Sequence, residues 1–170
     1  DVDQGVSRAV RAMLLSPSFL YRSEMGVAQP DGTFRLTPYE VAAALSYTYW
    51  GSTPDAALLA AAADGSLSTP AGTEREARRL LADPRARAQL ATFALQWLGV
   101  ETVATTPRSA ALFPAFTDAV RASMLEEPRR LVTSVAFDGT HRFDELFTTR
   151  STWVDGTLTN VSHTPYVFIE

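Results

Sequence analysis

In Ser16-Pro17, Thr37-Pro38, Thr53-Pro54 and Asp83-Pro84 a Ser, Thr or Asp stands directly before a proline. Proline has no amide hydrogen and a φ fixed near −65°, so within a helix it fits only the first turn. A short oxygen-bearing side chain before it accepts one of that turn's free N–H groups. Each pair therefore predicts a helix start. Gly26, Gly51, Asp64-Gly65 and Gly99 stand where the matching stops belong. The fold class that follows is mainly α: a compact bundle of about six or seven helices with short Pro/Gly-punctuated loops and an irregular or β-prone C-terminal tail.

The apolar spacing fills in these helices. Val6, Ala9, Val10, Met13 and Leu14 recur at steps of three and four and draw one stripe. A short helix through Phe19, Leu20 and Tyr21 is expected to end near Gly26, followed by a turn at Gln29-Pro30-Asp31-Gly32. Thr37-Pro38-Tyr39-Glu40 has the spacing of a capping box and opens a helix to Trp50. Tyr47 and Tyr49 cannot share one face of it, so one ring is expected to meet a second element. An Ala-rich helix follows over 56–63, and a charged one over 73–82 in which Glu74 and Arg78 pair at i,i+4. From Asp83-Pro84 to Gly99, the residues Leu90, Phe93 and Trp97, with Ala86 and Ala94, trace the expected core face. Residues 100–112 have no clean period and read as a loop. A long helix is expected from Pro114, and Pro128 either kinks it near Met124 or divides it. Asp138-Gly139 reads as a turn and 143–147 as a short helix, while 151–154 and 166–169 are β-prone.

These boundaries divide the chain into 1–26, the end of a preceding helical domain packed on the core; 35–160, the main helical domain; and 161–170, a tail or the start of a following segment. The 170 residues suffice for a self-supporting core. With no cysteine, disulfides, thiolate metal sites, a Cys nucleophile and C-x-x-C-H haem attachment are excluded within them. The net charge of −4, with scattered arginines, disfavours nucleic acid. No apolar run is long enough for a membrane span.

Candidates for chemistry are sparse. Asp138, His141, Asp144 and Glu145 are metal-ligand types clustered near one turn, although the same residues suit a solvated turn before a helix start. Glu126 and Glu127 form a carboxylate pair in sequence only, because adjacent helical residues point about 100° apart; ion pairs to Arg121, Arg129 or Arg130 are the plainer expectation. Ser46, Ser123 and Ser162 lack a recognisable base or oxyanion arrangement, and no G-x-S-x-G or G-x-G-x-x-G occurs. Of the two histidines, His141 and His163, neither lies in a ligand-spaced motif. Arg22, Glu24, Tyr47, Trp50 and Trp97 are the candidates for a pocket or partner surface, with Arg22 suited to clamp a carboxylate, against a purely structural reading of the same residues.

Several segments in order resemble a known pair of domains. Residues 14–24, LLSPSFLYRSE, are similar to the "LLASPxFLYRxE" segment that closes one domain of unknown function. Residues 45–55, LSYTYWGSTPD, resemble the "LSYFLWGSxPD" signature of the domain that follows it. Arg79 to Ala86, Phe93 to Leu98 and Glu145 to Thr148 continue the pattern, which covers residues 6–158 and departs from the family beyond Trp153. Such domains occur in tandem in large exported multidomain proteins of planctomycetes and myxobacteria, often with c-type cytochrome domains. The resemblance implies an exported module, periplasmic, cell-surface or extracellular, whose partners are neighbouring domains of the same parent. It supplies no catalytic residues. The expectation is a non-catalytic structural or interaction module with no cofactor of its own and a c-type haem on a neighbouring domain. The alternative is the helical part of an oxidoreductase whose active site a cytochrome or C-terminal domain completes.

Overall fold

The computed structural model describes residues 1–161, and within them the chain is mainly helical. It divides into two units, Asp1–Leu80 and Leu81–Glu170. The expected strand near 166–169, Ser162, His163 and the tail lie outside the described residues.

The first unit opens with α1, Val2–Leu14, capped by the Asp1 carboxylate. Its stripe forms as the spacing requires, yet α1 buries no residue: Val6, Val10, Met13 and Leu14 are all exposed. Pro17 starts α2, Pro17–Leu20, which ends well before Gly26 because Tyr21 turns extended. The Met25 and Gly26 N–H groups donate instead to the Glu40 carboxylate, at 2.9 and 3.1 Å, which carries the chain across the start of the next helix. The expected turn at 29–32 is the tip of an antiparallel pair, β1 Val27–Ala28 and β2 Phe34–Arg35, which the two-residue strands were too short to announce.

Helix α3, Pro38–Trp50, has the full capping box: Thr37 Oγ1 accepts from the Glu40 N–H while Glu40 accepts from the Thr37 N–H at 2.8 Å. Gly51, at φ +63°, ends it. Helix α4, Ala56–Ala63, is capped by Asp55 rather than Thr53, so Pro54 precedes the helix instead of beginning it. A 3-10 turn, Ser66–Ser68, leads into α5, Pro70–Leu81. This helix starts three residues before the expected Thr73, because Thr69-Pro70 is a further start of the same kind: Thr69 Oγ1 accepts from the Gly72 N–H at 3.1 Å. Ala42, Trp50, Leu58, Ala61, Ala62, Leu67 and Leu80 form the core of this unit. Full burial of side chains such as Leu58 and Leu80 is worth about 1.5–3 kcal/mol each.

In the second unit, α6, Pro84–Leu98, starts at its Asp83 cap and stops at Gly99 as expected. Its buried face matches the expectation at Ala86 and Ala94 and departs from it at Phe93 and Trp97. Ala86, Ala91, Ala94 and Leu95 point inward, whereas Phe93 and Trp97 are 53% and 50% exposed. Small side chains on this face bring the backbone of α6 close to α7, Asp118–Thr133, which contributes Val120, Ser123 and Val132. A 3-10 segment, Val100–Ala104, begins the expected loop. Helix α7 starts at the Thr117 cap, four residues after Pro114, leaving Phe116 outside with the Arg121 guanidinium over its ring. Pro128 lies inside α7, which runs on to Thr133 without dividing. A π turn, Ser134–Asp138, follows. Helix α8 is Glu145–Thr148 and α9 is Gly156–Val161. Residues 151–154 form no strand; Thr152 and Trp153 instead bond to Glu127 and Ser134.

Candidate functional site

Two of the sequence-derived candidates meet in a cleft of about 550 Å³ lined by Phe19, Tyr21, Arg22, Tyr39, Glu40 and Tyr47, among others. Arg22 pairs with Glu24 at 2.8 Å and places its guanidinium 5.3 Å from the centroid of the Tyr47 ring. Both partners of the ion pair are partly exposed, so solvent screens it. Glu40 closes one side. The Thr37 backbone N–H, then the Gly26 N–H and the Thr37 hydroxyl, hold its carboxyl down to about 2. It is an anchored carboxylate with its lone pairs already occupied. That suits it to fixing the chain, not to proton transfer.

Trp50 is placed elsewhere, in the core of the first unit. Its ring is 7% exposed and its indole N–H donates to the Leu80 carbonyl at 3.0 Å. Tyr49 packs against the same core while Tyr47 turns to the cleft, so the two tyrosines divide as their spacing requires. Beside Trp50, Arg79 makes a forked contact to Asp55 at 2.9 and 3.0 Å, reaches Glu76 at 2.8 Å, and stands 5.6 Å from the centroid of the Trp50 ring. The Asp55 hydrogen bonds raise the pKa of Arg79 further. Asp55 also caps α4 through the Leu58 N–H at 2.9 Å. Sequence reasoning missed this brace. Its signal was present: Trp50 and Asp55 end one motif of the resemblance and Arg79-Leu80 begin the next.

Trp97 is on the surface of the second unit, at the centre of an aromatic group. Phe93 lies parallel to it at 6.3 Å, Phe143 is tilted at 6.1 Å, and Phe147 presents an edge at 6.0 Å. Next to these rings is a pocket of about 240 Å³, lined also by Leu90, Val132, Val135, His141 and Leu146.

The four metal-ligand candidates do not converge. Asp138 is paired with Arg87, which holds its carboxyl below the usual range, and Asp144 is likewise paired with Arg142. Glu145 accepts from the Thr140 hydroxyl, and His141 Nδ1 bonds to the Ala136 carbonyl at 2.8 Å. Among the described residues no group of three or more His, Cys, Asp or Glu is arranged to hold a metal. Glu126 and Glu127 part as well: the first pairs with Arg130 at 2.9 Å and the second accepts from Thr152 at 2.6 Å. The Ser123 hydroxyl donates to Asp155 at 2.6 Å and lowers its pKa, while Asp155 caps α9 through two N–H groups. That carboxylate is engaged in fastening α9 to α7. Among the described residues no helix is long and apolar enough to cross a membrane.

One family model, PSD4, protein of unknown function (DUF1592), matches residues 36–161, well over half of the chain. No curated protein and no solved structure matches it.

Proposed function

The chain belongs to the PSD4 family of proteins of unknown function (DUF1592), and from that premise we propose that it is a non-catalytic structural and interaction module of a larger exported bacterial protein. The observation that supports this is the brace: Trp50, Asp55, Arg79 and Leu80, which belong to two signature segments, are engaged with one another. Residues spent on joining α3, α4 and α5 are not free for a substrate. The exposed rings around Trp97 and the exposed stripe of α1 supply surface for neighbouring domains. The resemblance extends the proposal to an exported parent with a c-type haem on a neighbouring domain. Reading the flanking sequence for C-x-x-C-H and for an export signal tests that extension.

Thermal unfolding tests the module itself. Arg79→Ala leaves Glu76, which is 8% exposed, with only its longer 3.3 Å contact to Arg75 and removes the forked partner of Asp55. The expected cost is roughly 1–3 kcal/mol, at about 2–4 °C in Tm for each kcal/mol. Arg22→Ala, in the open cleft, is expected to stay within about 0.5 kcal/mol of the parent. An Arg79→Ala chain that melts where the parent does would sink the structural reading of the signature.

A further inference from the structure

The pocket beside Trp97 carries features that the brace and the cleft do not explain. His141 is the one non-glycine residue with positive φ among the described residues, at +60°. Histidine enters this left-handed region more readily than most residues, but its presence there still asks for a reason. Two bonds to the π turn hold it: its N–H donates to the Val135 carbonyl at 3.1 Å, and Nδ1 lies 2.8 Å from the Ala136 carbonyl. In the neutral ring that second contact makes Nδ1 the protonated nitrogen and leaves Nε2 as an acceptor. The π turn itself is a rare form that is frequent at functional sites.

The occupant follows from size, wall and rim. A dry apolar cavity near 150 Å³ accepts benzene, so about 240 Å³ has room for one ring and its attachment. The wall is rings and branched aliphatic side chains, which favour an aromatic guest in offset or edge-on contact. Arg142 also lines the pocket but is paired with Asp144 at 2.7 Å, so His141 supplies the one side-chain acceptor, which suits a guest with one donor. The rim is Phe93, Trp97, Phe143 and Phe147, each at least half exposed. A free small molecule would leave that rim in water, whereas a polypeptide covers it.

We propose that this pocket is the socket for a tyrosine side chain of a polypeptide partner, whose phenolic O–H donates to His141 Nε2. The proposal rests on the interaction-module reading and names the kind of partner. It is tested on the full chain labelled with ¹⁵N, by following the Trp97 indole N–H and the His141 ring nitrogens during titration. The probes are N-acetyl-tyrosinamide, N-acetyl-phenylalaninamide, p-cresol and the capped peptide Leu-Tyr-Leu. Saturable shifts at both residues are expected, with the tyrosine amide several-fold tighter than the phenylalanine amide and the peptide about tenfold tighter than p-cresol. His141→Asn, which tolerates the same backbone, is expected to erase the tyrosine preference. Equal binding of the tyrosine and phenylalanine amides, which needs no variant, would overturn the hydrogen bond. No saturable shift at Trp97 would overturn the socket, and p-cresol binding as tightly as the peptide would overturn the polypeptide partner. Each of these can fail while Arg79→Ala still lowers the melting temperature, so the socket and the module stand or fall separately.

Discussion

Glu40 is the residue whose chemistry is most exposed to experiment. Its carboxylate gathers N–H groups from Met25, Gly26 and Thr37 together with the Thr37 hydroxyl, and its pKa falls from 4.5 to about 2. A carboxyl depressed on folding adds stability that is complete above its unfolded pKa and is lost as pH falls through the folded one. Melting temperatures of the parent should therefore drop between about pH 4.5 and pH 2 by more than those of Glu40→Gln. A second test concerns Ser46, fully buried on α3 with an Oγ that has no hydrogen-bond partner. An unmet buried hydroxyl costs on the order of 1–3 kcal/mol, so Ser46→Ala should raise Tm. Of these two roles only the Glu40 box was legible from spacing. The bonds from Glu40 to residues 25 and 26 span fifteen and fourteen positions, and no local pattern encodes them. Trp97 shows the same limit in reverse. Its spacing set it on one expected face with Ala86, Leu90, Phe93 and Ala94, of which the two alanines are buried while Phe93 and Trp97 are half exposed; periodicity tells which residues align, not how deep each one lies. The alanines of α6 won the interior because they permit close approach to α7.

At the scale of elements, local grammar set the bounds of α3, α4 and α6, and missed the starts of α5 and α7 by three and four residues. Asp55 displaced Thr53 and Thr117 displaced Pro114, each by accepting an N–H from inside the helix. Helix α7 is the larger surprise. Pro128 forfeits a hydrogen bond in its interior, yet the helix continues because Val120 and Val132, on either side of it, are both buried. Pro128→Ala should recover part of the roughly 3 kcal/mol that an interior proline costs, less about 0.4–1 kcal/mol from the freer unfolded chain; chemical denaturation would show the gain. Gly72 makes the opposite case. A Cβ there would fall 2.1 Å from the Ser66 carbonyl oxygen, a backbone atom of the turn beneath α5. Gly72→Ala is thus expected to cost at least about 1–3 kcal/mol, read as a lower denaturation midpoint.

Across the whole molecule, the first unit is organised around interlocked polar and aromatic groups, and the second around alanine-rich contact between α6 and α7 with its large rings outside. The brace in the first unit has a consequence for descent. Trp50 gives its indole N–H to the backbone at Leu80, Asp55 meets both terminal guanidinium nitrogens of Arg79, and Arg79 stands over Trp50. A lineage that exchanged Asp55 alone would leave Arg79 with Glu76 but without its forked partner, and one that exchanged Arg79 alone would leave Asp55 with its cap on α4 and Glu76 with Arg75 but both without the arginine that joins them. Positions 55 and 79 should consequently vary together or not at all, and aligned relatives would reveal them as one inherited character written in two places twenty-four residues apart.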